Sequence, residues 1–392
     1  MPENNRPETK GQPDPFRFWH MRFWHGMKFS AWLGLLVRNG FAVTPGRLGL
    51  ALTITLMSVA NSVLRVLQEV MLYPFIRRAR IEEPPIFVLG HWRSGTTMLH
   101  EVMVLDERFS CPNTYQCMTP NHFLLTSWFA LRLTFLLPKK RPMDEMGVGW
   151  LQPQEDEFAL VNLGQPSPYR SIAFPNSNPC EGALNLEGLS ETQHSNWKTA
   201  LMWFLRRVGM QTRGTLVVKS PTHTARVKTL LELFPDSKFV LVVRNPHEVF
   251  ASTVKLWSAL RHSQSLQVTD NCDLEAKVFQ DFETMFEAFE RDRSLIPEGH
   301  LFETRFEDFV DSPAGEMERL YGELGLGGFE RSRPAIESYF ARRADYQRDA
   351  YSLTPELREE IGRRWGPFMK RYGYDAGQNR QSKAWARQDK TG

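Results

Sequence analysis

A short apolar run that leads straight into a glycine-rich turn does most to limit what this chain can fold into. Ile86-Phe87-Val88-Leu89 follows Pro84-Pro85 and precedes Gly90-His91-Trp92-Arg93-Ser94-Gly95-Thr96-Thr97. Four continuous apolar residues read as a strand buried on both faces, the kind found in parallel sheets. The turn and the helix predicted over 96–105 make this strand, loop and helix. The pattern then recurs. Leu216-Val217-Val218 is followed by a predicted helix over 223–234, and Phe239–Val243 by one over 247–260. Leu274–Leu295 reads as a long helix, Leu301-Phe302-Glu303 as a fourth strand and Thr354–Tyr372 as a late helix. Strands alternating with helices of this length predict right-handed βαβ units. The expected fold is therefore P-loop-like, three layers αβα with a central parallel sheet. Region 110–215 is rich in Pro, Asn and aromatics and reads as loops and short helices lining an acceptor pocket.

The loop matches GxxxxG, with Thr96-Thr97 where a nucleotide triphosphatase carries Lys-Ser or Lys-Thr. Backbone N–H groups of such a turn and the helix N-terminus cradle an anion. Glycines let the backbone approach it closely. Ser94, Gly95, Thr96 and Thr97 are donor candidates, and Arg93 supplies the cation inside the loop. The third strand ends in Arg244, not in an Asp able to hold Mg²⁺. An Arg at a strand's C-terminal end, in the crevice of an open sheet, favours an anion. The site reads as built for a phosphorylated ligand without a metal.

These motifs together resemble the sulfotransferase family that uses 3′-phosphoadenosine 5′-phosphosulfate, most closely its bacterial branch with GHWRSGTT in the first loop. The resemblance covers about 81–375. It implies that Gly90–Thr97 holds the 5′-phosphosulfate, and that Arg244 and Ser252, eight positions apart, hold the 3′-phosphate. Lys219-Ser220-Pro221 resembles the family's KSP element, and Tyr346–Tyr351 its segment closing over the nucleotide. Asn245 departs from the Asp that often follows the Arg. The donor would be the co-substrate, with no metal, and the acceptor a hydroxyl on a small molecule, a lipid or a carbohydrate.

Sulfuryl transfer requires positioning of the donor, stabilisation of leaving-group charge and removal of the acceptor proton. Arg93 and the loop amides fit the first two tasks, and the flexible ammonium of Lys219 fits the bridging oxygen. Candidate bases lie in Glu155-Asp156-Glu157-Phe158-Ala159-Leu160, which resembles the family's EDEFAL block. These acids equally suit a helix's first turn, stabilised by its dipole. Residues two apart on a helix point roughly 200° apart, so Glu155 and Glu157 cannot both face a cleft, and Glu155 is the first candidate. His122 competes, because other branches use a histidine.

The 392 residues are 42% hydrophobic and 24% charged, which excludes wholesale disorder and a multi-spanning membrane protein. Residues 1–80 carry 11 Lys/Arg against 4 Asp/Glu, while the whole chain carries 48 against 45. A basic leader on an acidic body argues against nucleic acid and fits an anionic membrane surface. Phe16–Phe41 holds eight Phe/Trp and four Lys/Arg with no acid. Such a stretch suits either the lipid interface or packing onto the body. Leu48–Leu64 is uncharged but short for a span and contains Thr53, Thr55, Ser58, Asn61 and Ser62. It reads as an amphipathic or buried helix continuing to about Tyr73. The first 14 residues lack an apolar core, so no secretory signal is read and the expected compartment is the cytoplasm, with peripheral membrane contact. The expected division is a basic aromatic extension over 1–80, a catalytic domain over 81–375 and a polar tail over 376–392. The competing readings are a P-loop kinase and a non-catalytic, membrane-associated nucleotide-binding module. The missing Lys at Thr96 and the missing Asp after Val243 count against the first. Lys219 and the acidic block count against the second.

Overall fold

The computed structural model describes residues 21–130, 132, 149–177, 182–269, 271–343 and 353–374. Five strands form one sheet: β1 (Ile86–Leu89), β2 (Phe109–Ser110), β3 (Thr215–Lys219), β4 (Lys238–Val243) and β5 (Leu301–Arg305). Their order is β2-β3-β1-β4-β5 and every pairing is parallel. The central strand is the one that feeds the glycine loop, so the loop leaves the sheet at its middle. Val88 pairs with Lys219 on one side and with Val240 on the other. This register brings the ends of β1, β3 and β4 together on one edge of the sheet.

Alternation along the strands divides the core into two faces. Phe87, Leu89, Val218, Phe239 and Leu241 belong to one cluster. Ile86, Val88, Val217, Val240 and Val242 belong to the other. The second face is covered by the helix Thr96–Met103 and by the helices Pro313–Glu323 and Phe329–Ala341. The first is covered by Glu191–Gly209, Pro246–Gln264, Leu274–Asp292 and Pro355–Tyr372. The expected three-layer αβα fold is what the chain adopts.

Two local differences from the sequence reading have physical causes. The strand β2 was missed because two residues carry no period. The helix expected over 223–234 begins instead as a 3-10 turn, Pro221–Ala225, with the α-helix confined to Val227–Leu233. Side chains in that turn are engaged by the acidic block, as described below.

The described part of the leader is built into the body. Trp24 and Trp32 are fully buried in the first-face core, and Trp24 Nε1 donates to the Gln264 carbonyl at 2.6 Å. The helix Leu48–Met71 lies beside the helix Phe29–Arg38. It meets the body through His122, which the sequence offered as a base. The ring nitrogens of His122 lie 2.9 Å from Thr126 Oγ1 and 3.0 Å from Asn61 Oδ1. His25 lies in the same seam, 3.2 Å from Thr53 Oγ1.

Burial pushes the imidazoles of His25 and His122 down from 6.5 to about 4. Burial likewise lowers His91 and His100 to about 3. The unfolded chain takes up protons below about pH 6.5 that the folded chain refuses. Stability is therefore full above that pH and falls as pH drops toward 4. Thermal unfolding followed from neutral to mildly acidic pH should show a falling Tm. His122→Gln should give a shallower decline; an unchanged slope would remove His122 from this effect.

Candidate active site

The loop between β1 and the helix Thr96–Met103 is wound by three residues with positive φ: Gly90 at 142°, Arg93 at 69° and Gly95 at 102°. Two of the three need glycine for space as well. A Cβ on Gly90 would lie 2.5 Å from the Val242 carbonyl oxygen, and one on Gly95 would lie 2.2 Å from the Phe306 ring. Thr224 Oγ1 accepts from the Gly90 N–H at 2.8 Å and fixes the start of the loop. Within the loop, the Ser94 hydroxyl is buried with no hydrogen-bond partner. A buried orphan donor inside a ring of backbone amides fits an anionic ligand.

Three of the predicted donor-binding residues meet beside this loop. Arg93 Nε donates to Ser252 Oγ at 2.8 Å, and Arg244 Nη1 donates to the Arg93 carbonyl at 3.2 Å. Arg244 also pairs with Glu248 and lies 4.7 Å above the Phe306 ring. The helix Pro246–Gln264 carries Ser252 back over the loop. Its N-cap is Asn245, whose Oδ1 accepts from the His247 N–H at 3.0 Å. The departure at Asn245 thus keeps a capping side chain.

On the opposite side, Lys219 ends β3 and is buried. Its Nζ donates to Glu155 Oε1 at 2.8 Å and to Thr97 Oγ1 at 3.3 Å. Glu155, Lys219 and the first helical turn after the loop therefore form one contact group. Two residues not singled out in the sequence complete it. Tyr169 donates its hydroxyl to Glu155 Oε2 and accepts from Trp92 Nε1, a loop residue, at 2.8 Å. Burial, and then the negative charge of Glu155, push the Tyr169 phenol well above its usual pKa, so it stays a donor.

The other two acids of the block point into the protein. Asp156 is fully buried; Ser220 Oγ donates to it at 2.8 Å and His223 Nε2 lies 2.9 Å away. Burial works to raise its pKa but is overcome by His223, Ser220 and Arg226, which leave it below the ordinary value. Glu157 forms a two-pronged pair with Arg226, at 2.6 and 3.2 Å, and accepts from Thr222 Oγ1 at 2.9 Å. Both side chains of that pair are wholly buried. Glu157 is thus committed to Arg226, and His122 to Asn61 and Thr126. Of the three candidate bases, Glu155 is the one in contact with Lys219. The segment Tyr346–Tyr351 falls outside the described residues, as does the tail 376–392.

A family model described as "Sulfotransferase family" matches residues 84–331. The omega-hydroxy-beta-dihydromenaquinone-9 sulfotransferase Stf3 of Mycobacterium bovis is 42% identical over 361 residues, covering 92% of this chain and 93% of the relative. Stf3 of Mycobacterium tuberculosis matches to the same extent. Among solved structures, the sulfotransferase STF9 from Mycobacterium avium superposes with a TM-score of 0.62 at 17% identity, over 88% of this chain and 97% of the other. STF1 from M. tuberculosis gives 0.59 at 18% identity, over 86% and 92%. The two structures share the fold. The chain belongs to the sulfotransferase family and is a transferase. The kinase and the non-catalytic alternatives are set aside.

The Glu157–Arg226 pair carries a stability prediction. Removing one partner strands a buried charge at a cost of about 3–5 kcal/mol. Arg226→Met should lower the urea midpoint accordingly, and adding Glu157→Gln should recover part of the loss. A variant with unchanged stability but impaired donor affinity would place Glu157 in the cleft instead.

Proposed function

We propose that this enzyme transfers the sulfuryl group of 3′-phosphoadenosine 5′-phosphosulfate to the hydroxyl of a lipid-like alcohol. Glu155 would act as the base and Lys219 as the partner of the leaving oxygen. The observation that carries the reading is the Lys219 ammonium, held between Glu155 and Thr97. A proton acceptor and a cation thus meet at the mouth of an anion-binding loop. The acceptor O–H bond breaks as its proton passes to Glu155, and the oxygen attacks sulfur in line. The bond from sulfur to the 5′-phosphate oxygen breaks, and the charge left on that oxygen falls to Lys219, Arg93 and the loop amides. Tyr169 and Trp92 tie the base to the loop, so that positioning the donor also positions the carboxylate. On the other flank, Arg244 and Ser252 would hold the 3′-phosphate, with Arg93 bridging the two phosphate sites.

The acceptor class draws support from the 42% identical relative, which is named for a menaquinone-derived alcohol. A water-soluble donor and a lipid acceptor suit a cytoplasmic enzyme working at a membrane surface. No step of this chemistry requires a divalent ion, so donor binding should persist in the presence of chelator.

Glu155→Gln should lower turnover by about 10²–10⁴ while leaving donor affinity nearly intact. Glu157→Gln and His122→Asn are the paired controls. If one of these, still folded by circular dichroism, loses turnover that far while Glu155→Gln stays active, the base lies there. Lys219→Ala should lower turnover more than donor affinity, because its contact strengthens as the leaving oxygen gains charge. Arg244→Ala and Ser252→Ala should each weaken donor binding by about 1.5–3 kcal/mol, measured by calorimetry with chelator present. Equal losses for a nucleotide lacking the 3′-phosphate would overturn that assignment.

A further inference from the structure

The helix Leu48–Met71 is amphipathic in the sense opposite to a helix that packs an apolar face inward and shows a polar face to water. Its buried stripe is Ile54, Ser58, Asn61 and Gln68, a single helical face on which three of four residues are polar. Asn61 Nδ2 donates to the carbonyls of His25 and Met27 at 2.7 and 2.9 Å. Gln68 accepts from the Leu125 N–H at 3.2 Å, and Arg65 donates to Asn121 Oδ1 at 2.9 Å. Glu69 pairs with Arg207 at 2.8 Å. The opposite face, Leu52, Leu56, Val59, Val63, Val66 and Val70, is exposed, from 47% at Val59 to 71% at Val70. Phe29, Leu33 and Val37, at successive intervals of four on the neighbouring helix Phe29–Arg38, are exposed too.

We propose that these two helices dock flat on an anionic lipid bilayer, in its plane and without crossing it. The segment Pro45–Met71 has a mean hydropathy of 1.7 over its most apolar window, and only 17% of that window is buried. A 24-residue helix extends about 36 Å, and an aliphatic strip of that length exceeds what monomers leave open to water. Crossing the bilayer would pull Asn61, Arg65, Gln68 and Glu69 away from the partners that hold them to the body. Charge selects the lipid. Residues 15–68 contain no Asp or Glu, and Arg38, Arg77, Arg78 and Arg80 lie exposed at the ends of the strip. An aliphatic face rimmed by arginines complements acidic headgroups above acyl chains.

The N-terminal unit that carries this face also reaches the acidic block of the site. Phe23, which leads into the same N-terminal unit, lies 4.5 Å from the Phe158 ring. Phe158 in turn stacks on Tyr169 at 5.0 Å. Tyr169 holds Glu155. Two aromatic rings, Phe158 and Tyr169, therefore connect the N-terminal unit to the proposed base. This deepens the lipid-acceptor reading and rests on it for its purpose, although the binding test contains no acceptor.

The test is flotation of the full chain with vesicles of equal parts phosphatidylcholine and phosphatidylglycerol, at low and high salt. The chain should float in both conditions. The variant Leu56→Gln/Val63→Gln/Val66→Gln/Val70→Gln should float about tenfold less, since apolar area sets the binding. If circular dichroism shows the fourfold variant unfolded, Leu56→Gln/Val63→Gln carries the test with a smaller loss. Equal flotation of a folded variant and parent overturns docking through this face. So does flotation that high salt abolishes, or a parent that forms dimers and leaves vesicles unbound. Turnover of a short, water-soluble alcohol is read in parallel. Its absence in the parent would count against the sulfuryl-transfer reading and leave the flotation result standing.

Discussion

The buried ion pair between Glu157 and Arg226 holds the site together. Two charges taken wholly out of water are tolerated only when each is fully hydrogen-bonded, and here Thr222 and the carbonyls of Ala183 and Leu184 complete the set. The pair is part of a wider register. Three consecutive acids face the end of β3 and the segment that follows it: Glu155 meets Lys219, Asp156 meets Ser220 and His223, and Glu157 meets Arg226. Two of the three bind the 110–215 region to the end of the sheet. They leave Glu155 as the member at the edge, aimed at Lys219.

That clamp explains why the turn after β3 is a 3-10 segment and not a longer helix. Ser220, Thr222, His223 and Arg226 lie within one short stretch and all bond to the acidic block. Polar contacts thus outweigh local helix preference, and the polar bonds lie deep in the protein, where an unmade one is most costly.

The leader shows the same contest with a different outcome. Its tryptophans are large enough that burial dominates, and Trp24 and Trp32 are in the core. The next helix reverses the usual arrangement, because its Asn61 and Gln68 find backbone and side-chain partners on the body, while the leucines and valines of its outer face stay exposed. The residues of Leu48–Leu64 read equally as an amphipathic or a buried helix. Which stripe turns inward depends on what is offered to it, and the body offers His122 and the Asn121 side chain and carbonyl.

The strands β1, β3, β4 and β5 and the glycine loop were legible in the residues themselves. Continuous apolar runs and glycines with steric demands are local properties. The acidic block and Lys219 were legible as candidates but not as partners. Tyr169 and Trp92 carried no readable signal, since an aromatic in a pocket-lining region is more often packing. The committed positions of Glu157 and His122 were likewise hidden. Each depends on an Arg, a Thr or an Asn that is distant in sequence and reaches it only after the sheet has assembled. The sequence by itself determined four of the five strands and where the glycine-rich loop must lie, because short-range sterics and burial decide those. The tertiary structure alone decided which carboxylate meets Lys219 and which face of the N-terminal helix stays bare, because both follow from long-range competition for buried hydrogen-bond partners.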